Sequence, residues 1–287
     1  MQLIWKIIRF LIINTIILSL IQCNQNPFFD DDWVDLGNRR IHGTVSLSDD
    51  STPDSIFVWL EGFDLGTWTD SDGSFELILP LPSEQPGGGL WGGFDLYYYI
   101  ANYQIDAADI IVQDGYVLDN NGSVGVDGEL TASPILKKLL DVSTTIEPDT
   151  VALDFEGDIE CTIMLRAINE PISIITSLSQ DSLQAAFIQN IENRDARIIN
   201  EDANVYSLAT IDDIPTVWMM RIPYTAHWLE SGNYEIIPFV LVLQPYIPSG
   251  LLKHFGPESQ NYGLDYLNIP MKRTSESLVV LQPDDDA

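Results

Sequence analysis

The sequence predicts an all-β protein, two tandem β-sandwiches behind an export signal. Three observations carry this. Apolar residues recur with period two in several short runs, turn-forming residues separate those runs, and no long stretch has the spacing of an amphipathic helix. The length, 287 residues, fits one large or two small domains, and a hydrophobic fraction of 45% suffices for folded cores.

Residues 1–22 carry Lys6 and Arg9, no acid, and an apolar run from Ile7 to Ile21. A basic start followed by a short apolar stretch reads as a signal peptide. Leu20-Ile21-Gln22-Cys23 resembles the lipobox of bacterial lipoproteins, with Leu and Ile at the expected places and Gln22 where that family prefers Gly, Ala or Ser. The resemblance implies that Cys23 is acylated and becomes the new N-terminus, which would tether the protein to a membrane of the bacterial envelope, facing periplasm or surface. An uncleaved anchor and simple secretion are the alternatives, since Leu3 to Ile21 is about long enough to span a bilayer. Residues 23–40, with Asp30-Asp31-Asp32, read as an acidic tether.

The first domain is expected over 41–146. Ile41, Gly43, Val45 and Leu47 alternate with His42, Thr44 and Ser46, and Phe75, Leu77 and Leu79 with Ser74, Glu76 and Ile78. Ile56 to Leu60 and Leu96 to Ile100 are further β-prone runs. Asp49-Asp50, Asp70 to Gly73, the loop Gly87 to Gly93 and Asn120-Asn121-Gly122 punctuate them. The glycine loop is expected to be flexible, and Ile135 to Leu140 to form a short helical turn. Glu147-Pro148-Asp149 reads as the linker.

The second domain is expected over 147–287. Strand candidates begin near Val151 and include Ile159 to Ala167, Ile172 to Thr176, Ala185 to Ile188, Val205 to Ala209, Val217 to Ile222 and Tyr234 to Leu243. Leu229-Glu230-Ser231-Gly232-Asn233-Tyr234 has the L-x-x-G-x-Y spacing of a tyrosine corner, in which Tyr234 bonds back to upstream backbone. Gly232 and Tyr234 are therefore read as structural, and the domain as an immunoglobulin-like Greek key. Pro245 to Pro270, rich in Pro and Gly, is expected to wrap the surface, and Asp284-Asp285-Asp286 to fray.

Ile41-His42-Gly43-Thr44-Val45, Ile56 to Leu60 and Gly66-Thr67-Trp68-Thr69-Asp70-Ser71-Asp72-Gly73-Ser74-Phe75-Glu76-Leu77 together resemble the carboxypeptidase regulatory-like, or transthyretin-like, domain. The resemblance covers about 40 residues and implies a sandwich of domain size. In its hairpin, Asp70 is expected to cap the turn, Gly73 to supply a positive φ and Phe75 to enter the core. The family consists of accessory modules, so the likeness speaks to fold more than activity.

Charge excludes some functions. With 43 acidic against 13 basic residues the net charge is −30, which opposes binding to nucleic acid or adsorption to anionic lipid. His227-Trp228-Leu229-Glu230 has a zinc-ligand spacing, but Glu230 lies in the tyrosine corner and His254 is the only later histidine, short of a three-ligand catalytic site. No G-x-S-x-G or Walker phosphate loop occurs, and Gly87-Gly88-Gly89-Leu90-Trp91-Gly92 matches G-x-G-x-x-G but is followed by a β-prone run instead of a helix. Asp70 and Asp72 are the candidate calcium ligands. An EF-hand is excluded, because Gly73 at its sixth position puts Trp68 and Leu79 where acids are required. Cys161 lies in an alternating apolar run and reads as a buried structural thiol. Trp91 and Tyr97-Tyr98-Tyr99 are the candidate stacking surface for a glycan or peptide, although alternate strand residues point to opposite faces. The expected function is a non-enzymatic, lipid-anchored structural or recognition module without cofactor. The alternative is an accessory subunit or cryptic hydrolase acting on polysaccharide or peptide.

Overall fold

The computed structural model describes residues 39–118, 123–125, 127–180, 182–203 and 206–282. The signal peptide, Cys23, nearly all of the tether, the Asn120-Asn121-Gly122 turn and the acidic tail lie outside the described residues. Strands dominate, and the helix Ser249–Lys253 is short. Among the described residues no helix is long and apolar enough to cross a membrane.

The chain forms two tandem β-sandwiches. In the first, a five-stranded sheet runs in the order Leu65–Trp68, Phe57–Leu60, Gly92–Tyr99, Asp106–Gln113, Tyr116–Val117. Opposite it, Arg40–Thr44 pairs antiparallel with Ser74–Ile78, and Ser46–Leu47 pairs parallel with Ile135–Leu136. Ile41, Val45, Phe75 and Leu77 meet Val58, Leu60, Leu96, Tyr98 and Ile110 in the core between them. Removing that apolar surface from water is what closes the two layers. The helical turn expected over 135–140 is not formed. Ile135–Leu136 is extended because Ser46–Leu47 offers it a ladder partner.

In the second sandwich, a six-stranded sheet centres on Leu140–Glu147, Gly157–Ala167 and Thr216–Tyr224. Leu140–Glu147 pairs along its whole length with Gly157–Ala167, so residues 140–146 belong to this sheet although the turn signal stands at Glu147-Pro148-Asp149. A five-stranded sheet containing Ala186–Asn190, Gly232–Pro238 and Ser277–Leu281 lies opposite. Ile159, Cys161, Ile163, Trp218 and Ile222 pack with Ala186, Ile188, Ile236 and Leu278 between the layers. The clean alternation of Gly157–Ala167 reflects one buried and one solvated face.

A third core joins the two sandwiches. Phe57, Trp59 and Tyr99, on the reverse face of the first five-stranded sheet, cluster with Phe187, Ile237 and Phe239 from the reverse face of the second. Leu251, Phe255, Tyr266 and Ile269 fill the space between. The Pro- and Gly-rich segment 245–270 keeps an exposed outer side, with Tyr246 93% and Leu264 50% exposed, but drives these four anchors like a wedge between the sandwiches. Its polar groups are satisfied there. Tyr266 Oη donates to Val240 O (2.9 Å) and accepts from Val240 N (3.0 Å), and Tyr262 Oη does the same with Ala186 (2.8 and 3.1 Å). Buried backbone must find such partners, and these phenols reach it where the sheet ladder does not.

Polar side chains fix the same junction. Buried Asn102 donates to Leu140 O (2.9 Å) and Lys272 O (2.7 Å) and accepts from Lys272 N (3.0 Å). Gln244 donates to Ala101 O (2.9 Å) and Tyr103 O (2.8 Å) and accepts from Ile105 N (2.9 Å). Lys272 pairs with Asp54 at 2.6 Å, while Lys138 bridges Asp49 (2.7 Å) and Asp141 (2.8 Å).

Candidate functional site

A groove of varied chemistry lies on the first sandwich. Its floor is the outward face of the antiparallel pair Arg40–Thr44 and Ser74–Ile78. Because side chains alternate, burying Ile41, Phe75 and Leu77 turns Arg40, His42, Thr44, Ser74 and Glu76 outward. Arg40 holds Glu76 through Nη2 (2.5 Å) and Nε (2.9 Å). One rim is Gly128–Leu130, which covers the strand edge. His42 N donates to Gly128 O (2.9 Å), Leu130 N donates to His42 O (2.8 Å), and the Thr44 and Ser133 hydroxyls share a bond of 2.7 Å. Gly43 is needed here, since a Cβ would lie 2.9 Å from the Leu130 side chain.

The other rim is Trp68, last residue of the edge strand Leu65–Trp68 and 46% exposed. Its ring rests 4.9 Å from Phe57 and 6.1 Å from Phe255, so the indole is held in place by the third core. Gly66 permits this, because a Cβ there would stand 2.4 Å from the Phe57 ring. The groove encloses about 530 Å³ and also takes in Thr67, Asp70 and Glu129. Asp70, Glu76 and Glu129 are exposed to solvent.

The expected turn forms with its acids in other roles. Gly73 has φ +82° and no room for a Cβ, which would meet Val45 O at 2.1 Å. Phe75 is buried against Tyr98, edge to face at 5.9 Å. The side-chain cap comes from Asp72, whose Oδ1 accepts from Ser74 N (3.0 Å), while Asp70 closes the turn through its backbone O, which accepts from Gly73 N (2.9 Å). Hydrogen bonding from the Ser74 side chain and backbone holds the Asp72 carboxyl below the usual range. Among the described residues no three His, Cys, Asp or Glu side chains are placed to share a metal ion. Tyr234 Oη donates to Glu230 O (3.0 Å), the backward bond of a tyrosine corner, and Gly232 has φ +155°.

The expected stacking surface does not assemble. Trp91 is 74% exposed, but Tyr98 lies in the first core and Tyr99 in the third. Tyr97 is half-buried, stacks on Trp59 at 5.9 Å and donates to Asp95 (3.1 Å). Burial and the Asp95 charge push its phenol up to about 12. It stands six residues beyond Trp91, roughly 20 Å along an extended chain.

The glycine loop is anchored at Gln85 and Leu90, while Gly87, Gly88, Gly92 and Gly93 stand in open space. Gln85, itself buried, donates to Pro80 O (2.8 Å) and Gly115 O (3.1 Å) and accepts from Leu90 N (2.9 Å). His227 and His254 lie apart, with His254 Nε2 at 2.9 Å from Asp64 Oδ1 and its ring near Phe57 and Trp59. Cys161 is buried, and burial pushes its thiol up to about 12, which makes it unreactive.

Trp68 belongs to the hairpin motif, and little in the sequence marks it as a site residue. Its one sequence signal is position: an aromatic at the end of a short strand, just before the turn. A second groove, about 570 Å³, runs along the junction past Lys138, Arg166, Lys272 and Arg273. Each of these four cations already faces a carboxylate, from Asp49, Asp54, Asp141 or Glu235.

The sequence matches no protein family and no curated protein. Among solved structures it is similar to BcpA, the major pilin subunit of Bacillus cereus. In one crystal structure, of a BcpA variant, identity is 11% and the TM-score 0.26, over 72% of this chain and 69% of the pilin. In another, of BcpA, identity is 11% and the TM-score 0.24, over 85% and 69%. The Bacillus anthracis TIE protein shows 8% identity and a TM-score of 0.23 over 86% of this chain and 51% of its own, so the chain spans about half its length.

Proposed function

We propose that the protein is a non-enzymatic module of the bacterial envelope, tethered by lipid at Cys23, whose two sandwiches form one rigid body presented to an extracellular partner. The observation that carries the rigid body is the third core. Flexible tandem domains meet through small polar contacts, whereas here both sheets and an inserted segment share buried aromatics. The Asp70–Phe75 hairpin supports a transthyretin-like first domain, and the Tyr234 corner an immunoglobulin-like second.

The non-enzymatic reading rests on the exposure of Asp70, Glu76 and Glu129. A hydrolase acting on polysaccharide needs one carboxyl kept protonated by burial beside a second that is ionised. Arg40 neutralises Glu76, and solvent reaches all three.

Labelling with radioactive palmitate tests the tether. Wild type is expected to take up label and sediment with membranes, and Cys23→Ala to lose both properties. Equal absence of label from the two proteins overturns the lipid anchor. Turnover of a polysaccharide or peptide that disappears in Glu129→Gln overturns the non-enzymatic reading.

A further inference from the structure

Beyond rigid display, the Trp68 groove has the make-up of a ligand site: concave, one flat aromatic wall and a few convergent polar groups. We propose that it binds an uncharged or amino-substituted oligosaccharide, with a sugar ring lying on the Trp68 indole. A pyranose presents an apolar face of C–H groups and a rim of hydroxyls. The indole offers an exposed apolar face held by Phe57 and Phe255 at 4.9 and 6.1 Å, so little freedom is lost on binding.

The hydroxyl rim would meet both kinds of partner. The carboxylates of Glu76, Glu129 and Asp70 accept hydrogen bonds, Arg40 donates them, and Thr44 and Ser133 do either. Charge selects within sugars. The groove sets three carboxylates against Arg40, on a chain of net charge −30, so uronate and phosphate polymers are repelled and amino groups are welcome.

An extended peptide fits less well. Peptides bind by adding to an open strand edge or by seating side chains in apolar pockets. The free edge of Arg40–Thr44 is already taken by Gly128–Leu130, and the floor is polar.

Calorimetric titration of the full chain with cellohexaose, maltohexaose and chitohexaose tests the site. At least one is expected to bind. Trp68→Ala is expected to weaken that binding about tenfold, the loss of one stacking contact. Because Trp68 also touches the third core, exposed Glu129→Gln provides a second variant, expected to weaken binding with the melting temperature unchanged. Failure of all three sugars to bind below about 10 mM overturns the proposal. So does binding that both variants leave intact, or capture of peptides from a random library by wild type but no sugar. None of these outcomes touches the lipid tether or the rigid junction, which have their own tests.

Discussion

Phe255→Ala attacks the wedge at its centre. Phe255 is 1% exposed and its ring lies 5.1 Å from Phe57, 5.8 Å from Tyr99 and 6.1 Å from Trp68. All three neighbours belong to the first sandwich, while the helix that leads into Phe255 continues the second. Truncation removes a buried ring and leaves a cavity between two sheets that cannot collapse without parting. Phe to Ala in such a setting costs about 3–5 kcal/mol. For a chain of this size that lowers the melting temperature by roughly 10 °C. Guanidinium unfolding followed by tryptophan fluorescence gives the free energy. Hydrogen exchange should show faster opening in both Phe57–Leu60 and Ala186–Asn190, because the mutation loosens the surface they share. A loss under about 1 kcal/mol, or faster exchange confined to 249–269, would refute the idea that this segment joins the sandwiches.

Three other outcomes are expected. Gln85→Ala strands one buried carbonyl, one part-buried carbonyl and one part-buried N–H, and should cost about 1–2 kcal/mol in urea unfolding, with new protease cleavage within 86–93. Gly73→Ala combines a φ of +82° with a Cβ at 2.1 Å from Val45 O, and should lose more than about 2 kcal/mol in the same assay. Acid should destabilise the junction between about pH 4 and pH 2. Burial alone would raise the Asp49 carboxyl, but hydrogen bonds from Lys138, Ser51 and Tyr103 outweigh it and hold it at about 2. Asp54 is held at about 2 by hydrogen bonds from Lys272 and Thr52. Both folded values lie below the ordinary 3.8, so the stabilisation is complete above that value and disappears as pH falls through the folded one. Asp49, an exposed residue, and Asp54, whose side chain is 41% exposed, each account for about 1 kcal/mol or less once solvent screens them. Melting temperatures across that range check the sign, and Lys272→Met should remove the Asp54 share.

What the sequence reveals depends on how many faces of a strand are wet. Arg40–Leu47, Ser74–Leu79 and Gly157–Ala167 have one buried and one solvated face, and their alternation is plain in the residues. Phe57–Leu60 is buried on both faces, so it reads only as a β-prone run, and nothing in it announces the third core. The segment 245–270 looks like a surface loop because Pro and Gly break its periodicity. Its apolar anchors Leu251, Phe255, Tyr266 and Ile269 follow no helical or strand spacing, and the backbone that Tyr262 bonds lies 76 residues away. Local turns fare better. Gly73 and Tyr234 sit in spacings whose partners are within a few residues, whereas Ile135–Leu136 takes its extended form from Ser46–Leu47, far upstream. The candidate groove is of the long-range kind: its two rims, Trp68 and Glu129, meet only when the sandwich closes.

Differential scanning calorimetry of the full chain tests the central claim that the wedge makes two sandwiches one body. A single transition is expected for residues beyond the tether, with calorimetric and van't Hoff enthalpies agreeing, because neither sandwich can melt without exposing Phe57, Trp59, Phe187 and Phe239. Two well-separated transitions, each unaffected by Phe255→Ala, would contradict it.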